Sequence, residues 1–263
     1  MAAIETHALT RRFNGSLAID HVDLAIAPAT IFGLLGSNGA GKSTLIKMLT
    51  TLLPPTSGSA RVAGHDIVRE AHLVRAHVGY VPQLVSADGA LTGRENLVLS
   101  ARLYSVPRSE RARRVADALA FMDLDEAADR LVRGYSGGMI RRLEIAQAML
   151  HAPAVLFLDE PTIGLDPVAR QAVWVRLREL RARGDTTILL TTHDMEEAEV
   201  LCDRIAILHR GTVRADGTLA ELRARFGVPR LEDIFIRAAS DTPDTGGNYS
   251  DVARERRTVQ RLG

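Results

Sequence analysis

Short apolar runs punctuate the chain at Ile31 to Leu35, Val78 to Val81, Ala154 to Leu158, Thr187 to Thr191 and Ile205 to Leu208, and each predicts a strand. The runs that start at 154, 187 and 205 lack polar alternation, which predicts strands buried on both faces. Between the runs, helical patterns occupy Ser43 to Leu53, Val168 to Arg183 and Met195 to Cys202. Strands alternating with helices predict a parallel sheet covered by helices, an α/β architecture.

Two stretches break that rhythm. Near the N-terminus, Val22, Leu24 and Ile26 alternate with polar or small residues, as in an antiparallel strand with one wet face. From Leu91 to Leu150 the strand signal stops, and helical patterns run over Arg94 to Tyr104, Ser109 to Met122 and Met139 to Leu150. This predicts a helical lobe, about 84–150, inserted into a sheet domain spanning 1–239. Beyond it, 240–263 is rich in Asp, Arg, Gly and Thr with few apolar residues, and is expected to be a disordered tail.

Composition narrows the classes. A chain of 263 residues suits one large α/β domain with an inserted lobe and has enough length for a core. Lys plus Arg is 33 against 32 Asp plus Glu, so the net charge of +1 supplies no broad field for a polyanion, and no nucleic-acid partner is expected. Cys202 is the sole cysteine, which excludes an internal disulfide and zinc-type spacing and fits a reducing, cytoplasmic setting. Met1 to Arg12 lacks a secretory core, and no apolar stretch approaches the ~18 residues of a membrane span. Any membrane role is therefore expected to run through a separate polypeptide.

Lys42 and Lys47 are the only lysines, and Lys42 lies in Gly36-Ser37-Asn38-Gly39-Ala40-Gly41-Lys42-Ser43-Thr44. The segment matches G-x-x-x-x-G-K-[ST], follows a predicted strand and opens a predicted helix. Its glycines let consecutive backbone N–H groups turn inward around a phosphate, and the helix directs its positive end there. In that geometry Lys42 would reach the β- and γ-phosphates of a nucleotide, the Ser43 hydroxyl would be a ligand for Mg2+, and Thr44 can add a phosphate contact.

Val155 to Leu158 leads into Asp159 and Glu160, carboxylates at the C-terminal end of a buried strand. Asp159 is the candidate for the magnesium shell, and Glu160 for polarising the attacking water. His193 follows another strand at the same sheet edge, where an imidazole can donate to a γ-phosphate oxygen. Gln83, after Val78 to Pro82, can join the magnesium and water shell through its amide. Ser136 is a good N-cap, and Gly137 and Gly138 let backbone approach a phosphate closely. Each also has an ordinary reading: solvated acids at a strand end, a structural histidine, a turn glutamine, a plain helix cap.

Taken in order, these segments resemble the nucleotide-binding subunits of ABC transporters over nearly the whole chain to about Ala239. The resemblance implies a P-loop core with a mixed sheet, an N-terminal antiparallel β subdomain and an inserted α-helical subdomain. It makes Gly36 to Thr44 the Walker A loop, Gln83 the Q-loop, Tyr135 to Met139 the signature, Asp159-Glu160 Walker B, Asp166 part of the D-loop, and His193 the switch histidine. Phe13 matches the aromatic that stacks on adenine, with a core phenylalanine as the alternative. It further implies a homodimer with ATP between one copy's Walker A loop and the other's Ser136 to Gly138. A separate integral permease then places the pair on the cytoplasmic side of the plasma membrane.

Within that family, Tyr135 to Met139, Arg141 to Ala146, Leu91 to Leu97 and Leu231 to Phe235 are similar to the drug- and antibiotic-resistance exporter group. Tyr and Met replace the Leu and Gln that most often end the signature. The expected activity is ATP hydrolysis that drives export of a drug, antibiotic or lipophilic compound. The alternative is a soluble ABC-type ATPase acting on ribosomes, DNA or cluster assembly. Such relatives usually carry two cassettes, a long coiled-coil insertion or lost catalytic residues, and this chain has none of these features.

Overall fold

The structure is a computed structural model that describes residues 2–240, so the tail expected over 240–263 lies, apart from Ser240, outside the described residues. In chain order the strands are β1 (Ile4–Phe13), β2 (Ser16–Ile26), β3 (Ile31–Leu35), β4 (Ser57–Val62), β5 (His65–Asp66), β6 (Val78–Val81), β7 (Val155–Asp159), β8 (Thr187–Thr192), β9 (Arg204–His209) and β10 (Thr212–Gly217). The helices are α1 (Lys42–Leu49), α2 (Ala71–His77), α3 (Gly93–Leu103), α4 (Arg108–Phe121), α5 (Gly137–Met149), α6 (Pro167–Arg183), α7 (Met195–Leu201), α8 (Leu219–Phe226) and α9 (Leu231–Ala239). None of the described helices is long and apolar enough to cross a membrane.

Two sheets organise these elements. The N-terminal one is antiparallel, ordered β2-β1-β4-β5. Its alternation is as expected, with Val22, Leu24 and Ile26 buried and Asp23 and Ala25 exposed. The second is ordered β10-β9-β3-β8-β7-β6, parallel throughout except for the antiparallel edge strand β10.

The continuous apolar runs have a simple cause: alternate residues of one strand enter different cores. Leu156 and Leu158 face the core under α3 to α6, while Val155 and Phe157 face the one shared with α1 and the N-terminal sheet. In β9, Ile205 and Ile207 pack with the C-terminal helices, and Ala206 and Leu208 join that second core. With both faces covered, a polar side chain in these strands must find a buried partner, so most positions are apolar.

Between β6 and β7 the only regular elements of more than three residues are α3, α4 and α5, which pack on one another as the predicted helical insertion. Several elements were absent from the sequence pattern: β1, β4, β5, α2, β10, α8 and α9. Helix α1 stops at Leu49 rather than Leu53, because Thr51 takes φ +64° and Pro54 and Pro55 follow closely.

Candidate functional site

The C-terminal ends of β3, β7 and β8 converge, as their parallel pairing requires, and each releases one part of the predicted site. After β3, Gly36 has no room for a side chain, since a Cβ would lie 2.7 Å from the Leu208 carbonyl oxygen. Gly41 caps α1 with φ +108°, and a Cβ there would meet the Ala18 carbonyl at 2.5 Å. The loop is thus wedged between β2 and β9. Only glycine combines that backbone with that proximity.

The chemistry concentrates at Lys42. Its buried Nζ donates to the carbonyls of Gly36 at 2.7 Å and Ser37 at 3.3 Å, and stands 3.1 Å from Oε1 of Glu160. Ser43 Oγ donates to Asp159 Oδ1 at 3.1 Å, and Thr191 Oγ1 donates to the same oxygen at 2.6 Å. Thr191 also takes the backbone N–H of Glu160 on its Oγ1 at 3.0 Å. One hydroxyl on β8 therefore braces both acids, a role that no motif had flagged.

Glu160 sits at φ +50°, in the left-handed region, where a non-glycine residue carries about 1–3 kcal/mol of strain. His193 Nδ1 lies 3.0 Å from Glu160 Oε2 but off the line of a hydrogen bond, which leaves that buried oxygen with no donor. A cavity of about 110 Å³ opens beside it, bounded by Glu160, Thr162, Gly164, His193 and Glu197. Burial raises the Glu197 pKa, while Thr162, Thr192 and Trp174 oppose the shift through hydrogen bonds. Nearby, the Tyr80 phenol is pushed up to about 12, first by burial and then by the Asp159 carboxylate.

The remaining candidates are placed as follows. A second cavity, about 300 Å³, is lined by Gly36, Ser37, Asn38, His193, Met195 and Phe235, so the phosphate loop and His193 share a wall. Gly39 takes φ +81°, Ala40 is buried, and Thr44 is half-buried on α1. Phe13 is 41% exposed at the end of β1 under the Arg11 guanidinium, which excludes the core alternative. Gln83 is exposed, and no side-chain contact brings it to Lys42 or Asp159.

Ser136 caps α5, its hydroxyl accepting from the Met139 N–H at 3.3 Å, and Asp166 caps α6 by accepting from Ala169 at 2.9 Å. The signature lies against the start of α6. A Cβ on Gly138 would come 2.6 Å from Ala169 Cβ, and one on Gly137 would come 3.3 Å from Leu165. These neighbours belong to the turn at Leu165 and to α6 and not to the glycine-rich loop before α1. The Tyr that opens the signature also has a reason: its buried hydroxyl donates to the Ala127 carbonyl at 2.7 Å.

The ABC transporter family profile matches residues 19–163, from β2 to just past the two acids. The daunorubicin/doxorubicin resistance ATP-binding protein DrrA of Streptomyces peucetius is 46% identical over 243 residues, 91% of this chain and 73% of that protein. The chain belongs to the ABC transporter family. The doxorubicin resistance ATP-binding protein DrrA of Mycobacterium tuberculosis is 44% identical over 83% of this chain and 68% of its own length. A solved structure of an ATP-binding subunit of an ABC transporter superposes with TM-score 0.81 at 31% identity, covering 90% of this chain and all of that one. This ABC subunit thus has the fold expected from its motifs, and it is an ATPase that binds ATP and hydrolyses it for transport.

Its residues also fit magnesium. Among the described residues no group of three or more His, Cys, Asp or Glu gathers to hold a metal unaided. Ser43 Oγ and Asp159 Oδ1 instead offer two hard oxygens beside the phosphate loop, the partial set that Mg2+ completes with phosphate oxygens and water.

Proposed function

We propose that this chain is the ATP-hydrolysing subunit of a drug or antibiotic exporter, working as a homodimer on a separate permease at the cytoplasmic side of the plasma membrane. The observation that carries the reading is the split between the two half-sites. Lys42, Ser43, Asp159, Glu160 and His193 form one cluster, whereas Gly137 and Gly138 lie where a Cβ would meet Leu165 and Ala169 instead. A signature turned away from its own phosphate loop is available to the loop of a second copy. The names of the relatives from S. peucetius and M. tuberculosis favour drugs as the cargo class.

In this reading the loop N–H groups and Lys42 hold the β- and γ-phosphates, and Phe13 supplies a stacking face for adenine. Ser43, Asp159 and Gln83 would hold Mg2+, which supplies positive charge to the triphosphate. Glu160 takes up the proton of the attacking water on its unpartnered Oε2, and His193 donates to the γ-phosphate. Loss of the γ-phosphate removes the group that joins the two copies, and Asp166 at the signature side lies on the seam between them. The folded unit is the single nucleotide-binding domain of 1–239.

The test is ATP-dependent dimerisation of the parent, Glu160→Gln and Ser136→Arg proteins, followed by size-exclusion chromatography and light scattering. Glu160→Gln is expected to trap an ATP-bound dimer, because binding survives while water activation is lost. Ser136→Arg is expected to abolish trapping. Unchanged dimerisation and hydrolysis in Ser136→Arg would refute the shared site.

A further inference from the structure

Arg141 and Glu144 lie one turn apart on α5 and are both buried, with Arg141 Nη1 3.1 Å from Glu144 Oε2. An isolated ion pair in that position gives little stability, because desolvation of two charges offsets their attraction. The remaining valences of this pair run to one short segment. Arg141 donates to the carbonyl of Pro82 at 2.8 Å and of Gln83 at 3.1 Å. Glu144 Oε1 accepts from the backbone N–H of Ser86 and from its hydroxyl at 2.9 Å.

Segment 82–86 is therefore held at both ends by two side chains of a single helix. It has no regular secondary structure to satisfy its backbone, so the donors and acceptors that do so also set its path. That helix is capped by Ser136, five residues before Arg141, and the gripped segment carries Gln83. The capped end of α5 and the backbone of Gln83 are thus joined through one helix and its side chains.

We propose that Arg141 and Glu144 are positioning residues that fix Gln83 relative to the signature turn, so that engagement of Ser136 to Gly138 and placement of the Gln83 amide are one event. The inference rests on the role given above to Gln83 in the magnesium and water shell. It assigns the grip to a guanidinium, since only a planar fork spans two adjacent carbonyls and a carboxylate at once.

A double-mutant cycle on the full-length subunit tests it, using steady-state ATP hydrolysis of the parent, Arg141→Met, Gln83→Ala and the double variant. Arg141→Met is expected to lower kcat by about tenfold with KM changed less than about twofold, and to add less than about twofold when Gln83 is already Ala. Arg141→Lys should recover only part of kcat. If Arg141→Met fails to fold, as judged by its thermal unfolding, Glu144→Gln enters the same cycle, since it keeps volume and one acceptor oxygen. Losses that multiply in the double variant, with Gln83→Ala impaired alone, would overturn the positioning role and leave the site intact. Full parental activity in Gln83→Ala would instead overturn the reading of Gln83 on which the proposal stands.

Discussion

Lys42 Nζ stands 3.1 Å from Glu160 Oε1, and both side chains are almost wholly buried. The lysine of the glycine-rich loop and the carboxylate that follows β7 are thus each other's counter-charge within one chain. Deleting one partner of such a pair strands the other in a low-dielectric site, at a cost of about 3–5 kcal/mol. Lys42→Met should therefore destabilise the subunit in denaturant unfolding by that order, and Lys42→Met with Glu160→Gln should recover much of the loss. A double variant no more stable than Lys42→Met would show that the carboxylate is not paired with the lysine.

Gly93 and Tyr135 make a second coupled pair. A Cβ on Gly93 would lie 2.3 Å from the Tyr135 hydroxyl, so the phenol that opens the signature dictates a glycine at the start of α3. Gly93→Ala is expected to cost about 1–3 kcal/mol through overpacking. Tyr135→Phe in the same chain should return part of that, less the hydrogen bond to Ala127. Equal thermal midpoints for parent and Gly93→Ala would contradict the packing.

His151 supplies a pH dependence. Its ring stacks on Tyr104 with centroids 4.0 Å apart, Nε2 lies 3.1 Å from the Val78 carbonyl, and Nδ1 is buried without a partner. The carbonyl requires the proton on Nε2, so a second proton would fall on a nitrogen with no acceptor. Burial accordingly holds the pKa below its ordinary value of 6.5. The unfolded chain then binds a proton that the folded one refuses, and stability present above pH 6.5 is lost as pH falls through the lower folded value. Thermal midpoints measured from pH 7 to pH 5 should fall less steeply for His151→Phe, which keeps the stack without titrating. Parallel curves would exclude His151 as the cause.

Leu84 and Leu103 are 82% and 75% exposed, one beside Gln83 and the other at the end of α3. Large apolar side chains left in water suit a partner surface. Leu84→Asp with Leu103→Asp should fold with the parent's thermal midpoint yet fail to cosediment with membranes containing the permease. Undiminished cosedimentation would move the docking surface elsewhere.

The Leu91 to Leu97 stretch shows where sequence patterns stop being legible. As a string it marked only a subgroup. In the structure Thr92 and Glu95 form a capping box at the start of α3, and buried Asn96 braces the turn at Asp88. Helix α9 went unseen because it has only nine residues and exposed Ile236 breaks its apolar stripe. The edge strand β10 went unseen because a single exposed hairpin arm has little apolar pattern of its own.

By itself the sequence determined the parallel strands of the main sheet, the phosphate loop, the two acids and the helical insertion. Each is specified locally, by an uninterrupted apolar run, by glycine spacing or by helical periodicity. Tertiary structure alone decided that Thr191 braces both acids and that Lys42 faces Glu160. It likewise decided that Arg141 and Glu144 grip segment 82–86 and that the signature lies beside α6. These relations join residues tens of positions apart, and only the parallel pairing of β3, β7 and β8 and the packing of α5 bring them within hydrogen-bond reach.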